Sequence, residues 1–515
     1  MHLTSGLQRA VQQKPDCVAT IFRGRRRTWR EVAGRVARLA AALQTHGLAK
    51  GDRVGMLAQN SDRYLEYVLG TWWAGGVVNP VNARWSVPEI VYSLDDCDTG
   101  ILLVDDAHWH HVQHIRERAR RAPVVIHVGD GPAPDGVDSF EKLIEESHPV
   151  DDAGRGGNDL ASIMYTGGTT GLSKGVMQTH LNLWSSAMQR LASAPALPGV
   201  ATLQVAPLFH MAGLGRAIIQ WIAGESRVIL PAFDAGEVLR AIREESIGEL
   251  QLVPTMIEAV LAHPDASSTS FASVKRLTYG ASPISAALLE RVIANLPGVE
   301  LINSYGLTEA CSNVCASVPG DHDEAGRRSG LYRSVGPCGP AVLVKIVDEA
   351  GREVPRGTVG EIIVRGPNIT PGYWNKPEET AKALRNGWLH TGDGAYMNEA
   401  GYLFIVDRLK DMIVSGGENV YSAEVENAIA QHPAVAACAV IGVPHEKWGE
   451  AVHAVVVPKP GMTMGADEIR EHCRQFIAGY KCPKSVEFRT ELPLSAAGKV
   501  LKRELRAERL SGCWR

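Results

Sequence analysis

Ser162-Ile163-Met164-Tyr165-Thr166-Gly167-Gly168-Thr169-Thr170-Gly171-Leu172-Ser173-Lys174-Gly175 reads as an apolar strand that runs into a loop of four glycines, three threonines, one serine and one lysine. Such a loop suits a polyphosphate: glycine lets backbone N–H groups approach closely, hydroxyls donate, and the lysine neutralises charge. ATP or a similar ligand is the natural inference. It is not a Walker A loop, because no Gly-Lys-Ser or Gly-Lys-Thr occurs at the required spacing.

Working outward, the first clear element begins at Thr28. Thr28 and Glu31 have capping-box spacing, and Val32, Val36, Leu39, Ala40 and Leu43 recur on one helical face until Gly47. Asp52 to Leu57 then reads as a buried strand, and apolar runs alternate with helical patterns through Leu301-Ile302-Asn303. That alternation predicts an α/β domain with mainly parallel sheets. From about Ser334 the texture changes to short β runs, at 343–347 and 361–364, with a Glu349-Ala350-Gly351-Arg352 turn. A β-rich subdomain is expected there. After Asp411 a helix from about Ser422, strands at 436–443 and 451–457, a helix at 469–477 and a strand at 486–488 predict a small α+β domain of about a hundred residues.

The chain has 515 residues, with 53 Lys and Arg against 57 Asp and Glu. A net charge of -4 leaves no broad basic field for nucleic acid. The nine cysteines include no CxxC pair, so neither a zinc site nor a disulfide framework is supported, and reduced thiols in the cytoplasm are expected. The start lacks a signal-peptide core, and the longest uncharged stretches, 67–83 and 427–445, are interrupted by Gly, Pro, Asn or His. No membrane span is predicted. His108, His110, His111 and His114 offer helical pair spacings, but no second ligand cluster completes a metal site, so a solvated helix is expected.

Residues 166–175 resemble the loop signature of the adenylate-forming superfamily of acyl-CoA synthetases, peptide-synthetase adenylation domains and firefly luciferase. Gly167 replaces a Ser of that signature and Ser173 a Pro. The resemblance continues in order along nearly the whole chain. Ala206-Pro207-Leu208-Phe209-His210 resembles the segment beside the carboxylate pocket, Tyr279-Gly280-Ala281-Ser282-Pro283 the adenine-side turn, and Asn303-Ser304-Tyr305-Gly306-Leu307-Thr308-Glu309 the next motif. It implies that Tyr305 stacks on adenine, Thr308 contacts phosphate and Glu309 holds Mg²⁺, roles suited to a flat ring and a hard carboxylate oxygen.

Trp388-Leu389-His390-Thr391-Gly392-Asp393 and Asp407-Arg408-Leu409-Lys410-Asp411 resemble the two ribose-contacting motifs, with Asp393 accepting from both ribose hydroxyls, Arg408 donating to the ribose or a phosphate, and Lys410 at the hinge. The division implied is 1–409 and 410–515. Ser415-Gly416-Gly417-Glu418-Asn419 resembles the loop that lines the pantetheine tunnel after the C-terminal domain rotates, and Trp448 is a candidate beside the CoA path. Leu492-Pro493-Leu494-Ser495-Ala496-Ala497-Gly498-Lys499 resembles the segment with the adenylation lysine. The implied catalytic set is Lys499, Glu309, Thr166 and His210; the implied nucleotide set adds Gly167, Gly168, Thr169, Thr170, Gly171, Lys174, Gly280, Ala281, Ser282, Tyr305, Gly306, Thr308, Asp393 and Arg408. Gly213 joins His210 at the acid.

The implied activity is a two-step ligation with ATP, Mg²⁺ and coenzyme A, by way of an acyl-adenylate. Phe209-His210-Met211-Ala212-Gly213 holds no Asp for an α-ammonium, and no carrier-protein segment follows Lys499, so a free-standing ligase for a non-amino acid is expected. Ala212, Gly213 and Leu214 leave room for an aliphatic chain or an aryl ring. A medium- or long-chain fatty acid is the first expectation and a cinnamate-type acid such as ferulate or coumarate the alternative. A luciferase-like oxygenase is the reading from another class. A locally basic stretch after Gly479 could assist the CoA phosphates. Peripheral membrane contact and a homodimer are both compatible with the sequence.

Overall fold

The glycine-rich hairpin forms one edge of a seven-stranded sheet in the computed structural model, which describes residues 1–166, 173–495 and 498–510. Leu160–Thr166 and Lys174–Thr179 pair antiparallel. Inward from them lie Val77–Pro80, Arg53–Leu57, Thr99–Val104, Val124–His127 and Asp138–Ser139, all parallel. A second sheet has eight strands in the order Cys315–Ala316, Glu300–Tyr305, Arg276–Gly280, Ile247–Leu252, Ala201–Gln204, Arg227–Ile229, Val18–Phe22 and Arg25–Thr28, antiparallel only at its two edges. The α/β expectation is met.

Between these sheets lie helices Trp29–Thr45, Asp62–Trp73 and Met211–Ala223, and one continuous core takes residues from all three and from both sheets. The first of them begins as its capping box requires: the Thr28 side chain accepts from Glu31 N–H, and the Glu31 carboxylate accepts from Thr28 N–H at 2.7 Å. Removing such a cap costs about 1 kcal/mol. The aromatic residues of Asp62–Trp73 satisfy their polar ends within the core: Tyr67 OH donates to Val54 O and Trp72 Nε1 to Ala161 O, both at 2.8 Å. The uncharged stretch at 67–83 is therefore helix end plus buried strand. No helix among the described residues is long and apolar enough to cross a membrane.

Helix His180–Ser193 follows the hairpin directly, capped by Thr179 and Asn182. Its first residue, His180, is buried beside Trp72, and neither ring nitrogen has a hydrogen-bond partner among the described residues. Burial pushes its pKa down to about 4. The unfolded chain protonates this ring near 6.5 and the folded chain only near 4, so the stability it contributes is complete above pH 6.5 and is lost as pH falls toward 4. A His180→Phe variant should escape that loss: relative to wild type it should gain about 2 kcal/mol on going from pH 7.5 to pH 5 in urea denaturation. An unchanged difference between the two pH values would contradict a neutral buried His180.

Downstream, Leu343–Val347, Gly360–Arg365, Trp388–Met397, Leu384–Arg385 and Leu403–Arg408 form an antiparallel sheet. The turn at 349–352 returns the chain only to Glu353, which bridges Val347; the ladder partner comes later, with Val347 opposite Glu361. The fourth sheet contains Glu418–Val420, Ile413–Ser415, Gly449–Pro458, Val435–His445 and Ser485–Phe488. Its long hairpin exceeds the expected strands because pairing continues through Pro444 and His445 to Gly449. Helix Ala466–Arg474 starts three residues before the expected position, where the Glu468 carboxylate accepts from Gly465 N–H at 3.2 Å. Ile413, Val425, Ile429, Val440, Val452 and Ile469 belong to a separate core beneath this sheet.

The histidine cluster is split between a 3₁₀ turn, Asp106–His111, and helix Val112–Arg118, which breaks the single helical face expected for it. His108 is engaged by Asp105 at 2.6 Å, and no metal-binding cluster of three or more His, Cys, Asp or Glu occurs among the described residues.

Candidate active site

Pairing across the hairpin sets Thr166 opposite Lys174. Gly167, Gly168, Thr169, Thr170 and Gly171 lie outside the described residues. The Lys174 ammonium pairs with the carboxylate of Glu379 and sits 5.2 Å above the centroid of the Tyr373 ring. Beyond the hairpin edge the chain 372–374 runs alongside: Met177 N–H donates to Gly372 O at 3.0 Å and Trp374 N–H to Gly175 O at 2.7 Å.

Ligands of parallel sheets bind beyond the carboxyl ends of the strands. The adjacent strands Arg276–Gly280 and Glu300–Tyr305 end there side by side, with Gly280 opposite Ser304. They deliver Gly280, Ala281 and Ser282 from one and Tyr305, Gly306, Thr308 and Glu309 from the other. Ala281 adopts φ +65°, an uncommon conformation for a residue with a Cβ, as the chain turns out of its strand. Tyr305 OH donates to Asp393 Oδ2 at 2.6 Å, and Arg408 Nε pairs with Asp393 Oδ1 at 2.6 Å. Asp393 and Arg408 face each other across antiparallel strands, which fixes their separation. Together they make an edge of half-buried ring, buried carboxylate and half-exposed guanidinium suited to a nucleoside.

Glu309 sits in the 3₁₀ turn Thr308–Ala310, held from two sides. Gln178 Nε2 donates to Thr308 O at 2.9 Å, and Thr370 N–H donates to Glu309 O at 2.8 Å. Its carboxylate accepts one hydrogen bond, from Tyr373 OH to Oε1 at 2.9 Å, and has no ion-pair partner among the described residues. A half-buried carboxylate with an oxygen to spare, beside a phosphate-type loop, fits a hard cation such as Mg²⁺ that takes its other ligands from phosphate and water.

His210 caps helix Met211–Ala223, its Nδ1 accepting from Ala212 N–H at 3.2 Å. Burial, reinforced by the charge of Lys499, lowers its pKa to about 4, so the ring is neutral at physiological pH. Gly213 is buried, and a Cβ there would lie 2.1 Å from Pro207 O, so the close turn into the helix requires glycine at this position. Leu214 is fully buried in the core, which leaves Ala212 as the half-buried member of the three small residues at this wall.

Lys499 arrives from the far end of the chain. Burial and the charge of Arg408 lower its pKa from the ordinary lysine value, while Asp393 and Glu309 pull the other way. Its loop reaches across to earlier parts of the chain: Arg84 Nη1 donates to Ser495 O and Thr255 Oγ1 to Gly498 O, both at 3.4 Å.

The remaining expected residues lie elsewhere. Gly416, Gly417 and Asn419 are exposed at a hairpin tip, tied to Trp448 by the Gly416 N–H bond to its carbonyl at 2.8 Å. The Trp448 ring stacks on His445 and carries Lys484 at 5.3 Å from its centroid. Lys410 lies in the turn Leu409–Asp411. Much of the basic tail is internally paired: Lys481 with Glu424, Lys502 with Glu426 and Arg506 with Asp411, each at 2.7 Å.

Tyr373, Glu379, Gln178, Arg84 and Thr255 were not foreseeable as site residues from local pattern. The one available signal was Gly372-Tyr373-Trp374, an aromatic pair after a glycine just before a helix start at Pro377.

The pattern of AMP-binding enzymes matches residues 7–374, and that of the AMP-binding enzyme C-terminal domain matches residues 424–499. A feruloyl-CoA synthase from an Amycolatopsis species is 39% identical over 504 residues, 97% of each chain. A fatty acid–[acyl-carrier-protein] ligase, ScoC of Streptomyces coeruleorubidus, is 36% identical over 96% of this chain and 94% of its own. Among solved structures, the anthranilate CoA ligase AuaEII in complex with anthranoyl-AMP superposes with a TM-score of 0.93 at 28% identity, covering 100% of this chain and 98% of that one.

Proposed function

Because the chain belongs to the AMP-binding enzyme family, as an AMP-forming carboxylic acid–CoA ligase, we propose that its acid is a cinnamate-type aryl acid and that Lys499, Glu309, Asp393 and Arg408 serve the first of two half-reactions. In that step a carboxylate oxygen attacks the α-phosphorus of ATP, the bond to the pyrophosphate oxygen breaks, and acyl-AMP forms. The Lys499 ammonium follows charge as it develops between the carboxylate and the α-phosphate. Asp393 accepts from the ribose hydroxyls, and the Tyr305 ring offers a face for adenine. Mg²⁺, when bound, would be held by Glu309 and would neutralise phosphate charge. In the second step the CoA thiol attacks the acyl carbon and AMP leaves. Residues 410–515, with their own sheet and core, would turn about Lys410 so that Gly416, Gly417, Asn419 and Trp448 approach the acyl-adenylate.

The catalytic assignment is supported by the charges of Arg408, Asp393 and Glu309 all being felt at Lys499, whose loop meets Arg84 and Thr255 of the earlier part of the chain. The aryl preference is supported by the relative named for feruloyl-CoA, similar across 97% of both chains. The fatty-acid reading keeps support from the relative named a fatty acid ligase. Pyrophosphate release across a panel of acids, with and without CoA, separates them. Highest kcat/KM on ferulate or coumarate is expected; activity that climbs with straight-chain length would overturn the aryl reading.

The reach of the Lys499 loop gives a second test. Gly498 has φ +74°, and a Cβ there would lie 2.8 Å from Thr255 Oγ1. Gly498→Ala carries the cost of a left-handed backbone wherever the loop sits, but the clash with Thr255 arises only where the loop meets it, and that clash should add about 1–2 kcal/mol and slow acyl-AMP formation roughly tenfold. Acyl transfer from supplied acyl-AMP to CoA should stay near wild type. Equal slowing of both steps would mean that the residue does not act through this contact.

A further inference from the structure

The segment 370–380 is woven between the glycine-rich hairpin and the Glu309 turn, and its side chains touch the charged groups of both. Tyr373 is fixed by its backbone: its N–H donates to Thr380 Oγ1 at 2.9 Å, and its residue bridges Val176 of the hairpin strand. From that position its hydroxyl donates to Glu309 Oε1 at 2.9 Å, while its ring lies under the Lys174 ammonium at 5.2 Å. Facing a carboxylate oxygen, which can only accept, the hydroxyl is the donor. Glu379, in the first turn of the helix Pro377–Ala383, takes the Lys174 ammonium on one carboxylate oxygen and Lys382 on the other at 3.1 Å.

We propose that Tyr373 is a positioning residue that holds the Glu309 carboxylate and the Lys174 ammonium on one ring, and that Glu379 stands in for polyphosphate on Lys174 until nucleotide arrives. The proposal rests on reading Glu309 as the metal carboxylate and Lys174 as a phosphate lysine. Tyr373 occupies Oε1 and so leaves Oε2 of Glu309 for the cation. A lysine above an aromatic face is attracted to the ring's negative quadrupole without being neutralised, so its charge stays available to phosphate. Glu379 differs in kind: it competes with phosphate for the same ammonium, as one anion with another. Its removal should therefore strengthen nucleotide binding, whereas removal of the Tyr373 hydroxyl should weaken metal binding.

The test uses the full chain with α,β-methylene-ATP, whose α,β link cannot break to adenylate the acid, and Mn²⁺ followed by electron paramagnetic resonance. Binding of the analogue without metal is measured separately by calorimetry. Tyr373→Phe should weaken Mn²⁺ in the ternary complex about fivefold and leave metal-free analogue binding unchanged. Glu379→Gln should tighten the metal-free analogue about threefold, with the gain shrinking as salt is raised. Glu309→Gln is the control for the underlying reading. If it leaves Mn²⁺ affinity unchanged, Glu309 is not the metal carboxylate and the Tyr373 role falls with it. If Glu309→Gln weakens Mn²⁺ but Tyr373→Phe does not, the metal reading stands and the positioning role is overturned. Unchanged or weaker analogue binding by Glu379→Gln overturns the stand-in role.

Discussion

Replacing Lys499 with Ala is expected to slow acyl-adenylate formation by about 10²- to 10³-fold, while CoA thioester formation from supplied acyl-adenylate stays within about twofold of wild type. The asymmetry follows from where charge develops. In the first step negative charge builds between the acid oxygen and the α-phosphate, and a preorganised ammonium in a half-buried site lowers that barrier without reorganising water. In the second step the thiol attacks the acyl carbon rather than phosphorus, the bond from that carbon to the AMP oxygen breaks, and the C-terminal unit that carries Lys499 is proposed to have turned away.

The lowered pKa of Lys499 adds a pH signature. The ammonium is the useful form, so adenylation should fall as pH rises through a value below that of an ordinary lysine, with no matching limb in the second step. Lys499→Arg should restore part of the first-step rate and remove this alkaline limb, since a guanidinium stays protonated. A Lys499→Ala variant that forms acyl-AMP at an undiminished rate would sink the role; an alkaline limb that survives in Lys499→Arg would assign it to another group.

Which parts of this site could be read before the fold was known follows from how far each depends on chain crossings. The 162–175 segment declared its strand, its loop and its lysine locally, and Thr28 with Glu31 declared a helix start, because each is decided within a few residues. Tyr305, Asp393 and Arg408 were placed by resemblance, and their mutual contacts became visible only when two sheets were set edge to end. Tyr373 and Glu379 were out of reach for a different reason. Each contact joins residues whose spacing carries no period, and a lone tyrosine or a glutamate in a helix's first turn looks ordinary. Charge counting misled at the C-terminus for the same reason: Lys481, Lys502 and Arg506 count toward a basic tail, yet their carboxylate partners, Glu424, Glu426 and Asp411, lie outside it in sequence.

Asp393→Ala is expected to raise KM for ATP by about 10- to 100-fold with little change in KM for the acid, on the basis that two hydrogen bonds between a carboxylate and the ribose hydroxyls are lost. The folded chain also loses the partner of Tyr305 OH and of Arg408 Nε. Because nearly half of the Arg408 side chain is exposed, water can replace part of that pair, and the stability loss should be about 1–2 kcal/mol rather than the larger cost of stranding a fully buried charge. Weakened ATP binding could therefore come from a lost ribose contact or from a loosened pocket, and deoxynucleotides separate the two. Wild type should discriminate against 2′-deoxy- and 3′-deoxy-ATP, because a carboxylate built to accept a hydroxyl is left unpaired by the analogue. In Asp393→Ala that discrimination should collapse toward unity for the hydroxyls Asp393 receives, even though all three nucleotides bind poorly. Discrimination that persists undiminished in the variant would place the ribose elsewhere, leaving Asp393 as an anchor for Tyr305 and Arg408.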